Sequence, residues 1–166
     1  MSPRIFITAA GLGFLAIAVL VIWLVQEQRL AAAPVVINET AVPPLPTLDQ
    51  QAEALGEPLY LQYCAACHGA DLRGAMDWKS PLPDGSFPPP PHDDSGHTWH
   101  HPDFLLLQIV AEGGPSYGGV MPGFSTQLSE TEMAAILEYI KSRWNRESRE
   151  YQWWITNIYP TPTPTP

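Results

Sequence analysis

GEPLYLQYCAACHG, residues Gly56 to Gly69, contains both cysteines of the chain, Cys64 and Cys67, with His68 directly after the second. Two thiols three apart followed by an imidazole read as a c-type haem attachment. Each thiol adds to one vinyl group of a single haem, and the next residue places a ring nitrogen on the iron. A redox dithiol would need a thioredoxin-like βαβ context, and none is visible. A zinc site would need further sulfur or histidine ligands at regular spacing. Two cysteines are too few for a disulfide framework.

Working outward, Leu55, Leu59, Tyr60 and Tyr63 recur at three- and four-residue steps. This predicts a helix from about Asp49 to Tyr63, with Glu57-Pro58 as a kink or restart. Residues 69–100 are rich in Gly, Pro and Asp and have no helical period, so they read as loop. A second helix is predicted over Asp103 to Ala111, entered at Pro102 and stopped by Gly113-Gly114. A last helix opens with the capping box Ser129/Glu132 and runs through Ile136, Leu137 and Ile140 to about Trp144.

The 56–69 stretch resembles the N-terminal helix and haem motif of class I cytochromes c. LSETEMAAILEYIKSRW resembles that family's C-terminal helix, and GGVMPGF resembles its distal-ligand loop. The resemblance covers roughly residues 50–145. It implies a mostly α fold, with three to four helices around one covalent haem c. It implies that the terminal helices cross at near right angles, with Gly56, Tyr60 and Tyr139 suited to the contact. Cys64, Cys67 and His68 then hold the haem, and His68 and Met121 are the iron's axial ligands. A proline between Pro81 and Pro91 should orient the His68 ring through its carbonyl.

Met121 lies in Val120-Met121-Pro122-Gly123-Phe124, where flanking glycines permit a close approach and Pro122 stiffens the loop. A soft thioether opposite histidine raises the reduction potential. The competing role for Met121 is a gap-filler in the core. Met76 is too near Cys67 in the family's pattern, and Met133 reads as core. His92, His97, His100 and His101 crowd into ten residues. Three roles are open to them: propionate or structural hydrogen bonds, an accessory copper or zinc site, or replacement of Met121 on the iron. Trp99 would donate its indole N–H to a propionate or a backbone carbonyl.

Ile5 to Val25 is 21 residues without a formal charge. A helix there is ~32 Å long, enough for a hydrocarbon core of ~30 Å. Arg4 on its N-terminal side places that end in the cytoplasm and Trp23 at the far interface. The alternative is a cleaved signal peptide ending at Ala31-Ala32-Ala33. Either reading exports the rest, to the periplasmic or extracytoplasmic side of the inner membrane. The expected division is therefore an anchor over 1–30, a Pro-rich linker over 31–50, a cytochrome c domain over 51–148 and an aromatic and Thr-Pro tail over 149–166. The linker reads as an extended tether of at most roughly 60 Å. It includes a sequon at Asn38-Glu39-Thr40, by itself a weak signal. The tail's Tyr151, Trp153, Trp154 and Tyr159 form an apolar patch expected to dock on the domain, a partner or the membrane interface.

Between Ala54 and Ile140 there are 11 acidic and 2 basic side chains, a net charge of −9. Such a domain is no partner for nucleic acid. A basic protein surface would steer towards it. The expected function is electron relay by a tethered mono-haem carrier, as shuttle or as fixed haem subunit, with no catalysis of its own. Its expected neighbours are membrane lipid and redox proteins: a quinol-oxidising complex, a terminal oxidase or a photosynthetic reaction centre. Two alternatives belong to other classes: a haem-based gas sensor with a displaceable Met121, and a metal-handling protein built on the 92–101 histidines.

Overall fold

The computed structural model describes residues 9–31 and 33–159. Helix α1 spans Ala9–Ala31. Its described apolar side chains, Phe14 to Val25 among them, are exposed. The expected span Ile5 to Val25 begins outside the described residues. Among the described residues no helix is long and apolar enough to cross a membrane.

The proline-rich stretch expected as an extended tether instead holds a β-hairpin, β1 (Pro34–Ile37) paired antiparallel with β2 (Thr40–Pro44). Asn38 and Glu39 form its two-residue turn at φ 48° and 64°, the positive values that suit the right-handed twist of a hairpin. Val35 pairs with Val42, and both are buried. The prolines sit at the outer ends, Pro34 opposite Pro44 beside a bulge, where a missing N–H breaks no internal rung.

Helix α2 (Gln50–Tyr63) is capped by Asp49, whose carboxylate accepts from the Gln51 and Ala52 amides. It runs unbroken through Pro58 rather than restarting there. Helix α4 covers Asp103–Glu112 and α5 covers Glu130–Ser142, and the Ser129/Glu132 capping box is formed. Between α2 and α4 the chain is loop apart from the single turn α3 (Ala65–His68) and a 3-10 turn at Thr98–His100.

Helices α2 and α5 meet at Gly56. A Cβ there would collide with the Ala135 carbonyl, so only glycine lets the two backbones approach this closely. Tyr60 is fully buried beside Tyr139, their ring centroids 5.4 Å apart. Leu106, Leu128, Met133, Ile136, Leu137, Ile140 and Trp144 complete this core.

The expected tail also departs from prediction. Residues Arg146–Ile158 form helix α6, whose N-cap Asn145 accepts from the Ser148 amide. Its aromatic residues dock on the chain itself. Trp154 is buried against Val35 and Val42. The indole N–H of Trp153 donates to the Pro43 carbonyl (2.8 Å), and that of Trp154 to the Thr40 carbonyl (3.1 Å). The Thr-Pro repeat after Tyr159 lies outside the described residues.

Candidate haem site

Cys64 ends α2, and α3 carries the motif through one turn, with the Cys67 and His68 amides both donating to the Cys64 carbonyl. Neighbours at i and i+3 share a helix face, so one turn brings the thiols together. Both cysteines are free, Cys64 buried and Cys67 exposed. Burial, with the nearby Cys67 thiol second, pushes the Cys64 pKa up to about 11, which keeps it a neutral thiol.

His68 is buried, and its Nδ1 lies 2.8 Å from the Pro90 carbonyl oxygen. A carbonyl can only accept, so Nδ1 carries the proton and Nε2 keeps its lone pair. Burial lowers the pKa of this imidazole, and the Pro90 bond opposes that. Pro90 is the proline that sequence reasoning could only bracket. It is held by Gly74, where a Cβ would strike the Pro89 and Pro90 backbone, and by the Ala75 amide donating to the Pro89 carbonyl (2.9 Å).

The distal loop is laid over the end of α4. The Met121 carbonyl accepts from the Gly114 amide (2.9 Å), and the Phe124 amide donates to Val110 (2.9 Å). Gly113 sits at φ 95°, and a side chain there would meet the Met121 carbonyl. Cys64, Cys67, His68 and Met121 all line one cavity of about 590 Å³. Its walls are mostly apolar, with Leu106, Val110, Phe124, Ile136 and Ile140 among them. That is the size and character of a cofactor pocket. Two free thiols, a correctly protonated imidazole and a thioether on one apolar cavity fit a covalent haem. Met76 is almost wholly exposed and Met133 is buried in the core, both away from a ligand role.

The histidine segment does not act as a cluster. Among the described residues no three His, Cys, Asp or Glu side chains converge to hold a metal ion. His92 stacks on His68, and His97 stacks on Trp78. His100 packs on Trp99 and Tyr151, and His101 meets His97 edge-on. His97 and His101 contact each other, while His92 lies on His68 and His100 on Trp99 and Tyr151, so the four rings do not converge on one point. His92, His97 and His101 line the cavity with Trp78 and Lys79. The Trp99 indole donates to the Asp94 carbonyl (3.3 Å), the second of its expected partners. Trp78 and Lys79 were missed because an isolated Trp-Lys pair in a loop carries no periodic or spacing signal.

The family model for cytochrome c matches residues 53–144. This chain belongs to the cytochrome c family. A cytochrome c domain carries covalently bound haem c and transfers electrons through it. Among solved structures, the chain is similar to cytochrome cL from the marine methylotrophic bacterium Methylophaga aminisulfidivorans. The likeness has 20% identity and a TM-score of 0.47, and covers 70% of this chain and 71% of that one. The comparison with curated proteins gives no match. The α2–α5 crossing at Gly56 and the cavity residues Cys64, Cys67, His68 and Met121 all lie within the matched residues.

Proposed function

We propose that this cytochrome c is a class I mono-haem electron carrier, anchored to the inner membrane through its N-terminal helix. Its haem domain sits on the periplasmic or extracytoplasmic side. Cys64 and Cys67 would hold the haem, and His68 and Met121 would ligate its iron. The observation that carries the reading is the His68–Pro90 bond, on a cavity shared by His68, Met121 and both thiols. The bound haem supplies reversible one-electron chemistry. The chain's own residues orient, bury and close. Pro90 fixes the His68 proton on Nδ1, the apolar walls exclude water, and Met121 leaves no open position for a substrate. The domain is then a carrier and not a catalyst.

The 21-residue charge-free run and the exposed apolar side chains of α1 support anchoring. The hairpin favours a fixed subunit over a free shuttle. Only residues 32 and 33 separate α1 from β1, so the three Cα steps from Ala31 to Pro34 reach at most about 11 Å. The hairpin is fastened by the two indole bonds, and the Arg149 guanidinium donates to the Pro46 carbonyl (2.9 Å). The domain would stand close to the membrane between a quinol-oxidising complex and a terminal oxidase or photosynthetic reaction centre. Its acidic surface suits basic docking faces on those partners.

The test is Met121→Leu in the full chain, expressed with haem-maturation machinery. The ferric wild type should show the weak far-red band of methionine-ligated haem, and the variant should lose it. A band that survives would sink the ligand assignment. Carbon monoxide uptake by the ferrous wild type should be slow, and rapid uptake would favour the gas sensor. Recovery of the protein in the soluble fraction would remove the anchor.

A further inference from the structure

His92 is half-buried and lines the cavity, and its ring lies on that of His68. The centroids are 3.9 Å apart and the planes 18° from parallel. A hydrogen bond from Nδ1 to Pro90 fixes one point of the His68 ring. The plane can still rock about that line. A flat neighbour at van der Waals distance removes this freedom, as an aliphatic side chain of rotating methyl groups would not.

His92 is itself immobilised from three directions. Tyr60 of α2 places its hydroxyl 3.3 Å from His92 Nδ1. The Trp144 indole N–H, just past α5, donates to the His92 carbonyl (2.7 Å). The His92 amide donates to the Leu72 carbonyl (2.7 Å). Tyr60 also stands edge-on to the His92 ring. Because Pro90 and His92 lie two residues apart, one short segment supplies both the hydrogen bond and the stacking face. That segment is braced by both crossing helices.

We propose that His92 is a positioning residue that sets the plane of the His68 imidazole, and so narrows the range of electronic states of the haem iron. This rests on the reading of His68 as an axial ligand. The stack of two rings is what matters, so an aromatic ring should replace His92 and a side chain without a ring should not.

The experiment compares the ferric holoprotein as wild type, His92→Phe, His92→Asn and His92→Leu by electron paramagnetic resonance in frozen solution. Wild type and His92→Phe should give a narrow low-spin signal with the same g values. His92→Leu and His92→Asn should give a shifted, broadened low-field feature while still carrying covalent haem. An unchanged His92→Leu spectrum overturns the proposal, and so does a His92→Phe spectrum as broad as that of His92→Leu. Should the variants not assemble, the ferrous wild type decides by proton NMR: close-contact cross-peaks between the two rings are expected, and their absence overturns the stack. A wild type with no histidine-ligated low-spin signal would instead remove the axial reading of His68, and the proposal with it.

Discussion

Beside the cavity, the core draws side chains from α2, α4 and α5, yet it surrounds about 590 Å³ that none of them fills. Between the hairpin and α6 the core is Val35, Val42 and Trp154, with no comparable void described. The first region is large and incomplete in protein atoms. Its apolar walls would gain full contact with the proposed haem fastened to Cys64 and Cys67. The second is complete but small, and it depends on polar links to the rest. The Gln152 amide reaches the Asp103 carboxylate, the Thr156 hydroxyl and the His101 carbonyl. Lys141 pairs with that same carboxylate at 2.8 Å. The Thr156 hydroxyl accepts from the Asp103 amide (3.1 Å), capping α4 where Pro102 offers no side-chain acceptor. One region therefore relies on an added cofactor, and the other on its seat against the first.

The most severe way to break this comparison is to remove both thiols. The Cys64→Ser/Cys67→Ser chain should show no covalent haem on a stained denaturing gel and should lose most of its cooperative thermal transition. A chain that kept its full transition without haem would mean the cavity walls are self-supporting. Next, Trp154→Ala should cost about 3 kcal/mol locally, the range for truncating a buried large aromatic. Hydrogen exchange should rise across β1, β2 and α6 while the ferric spectrum stays unchanged. A spectral change would show that the two regions are coupled. The smallest effect is expected from Gln152→Ala, about 1 kcal/mol by denaturant unfolding for the loss of its hydrogen bonds. No measurable change would mean that the other contacts of α6, the Thr156–Asp103 bond and the Tyr151 ring on His100 among them, hold it without Gln152.

Much of the first region was legible. The pentapeptide at Cys64 and the capping box at Ser129 are local signals, and the Gly56/Tyr60/Tyr139 contact, implied by the family resemblance, is formed. The second region was misread. Four prolines between Ala31 and Gln50 suggested an extended chain, but the register places Pro34 and Pro44 at the ends of the ladder, where they do little harm. The Asn38-Glu39 turn lacks the glycine that usually marks such a hairpin. The tail's aromatic residues were recognised as needing cover, but the face that covers them lies more than a hundred residues earlier in the chain. The four histidines looked like one unit because they are close in sequence, whereas the fold pairs His97 with His101 and sends His92 and His100 to separate neighbours.

From the order of residues alone came the family, the covalent chemistry and the candidate ligands, because attachment spacing, helix caps and apolar period act over a few positions. Tertiary structure decided which proline carbonyl meets His68, that His92 lies flat against it, and that α6 clasps a hairpin near the start of the domain. These contacts join segments far apart in the chain, and their energies exist only once the backbone has closed the distance.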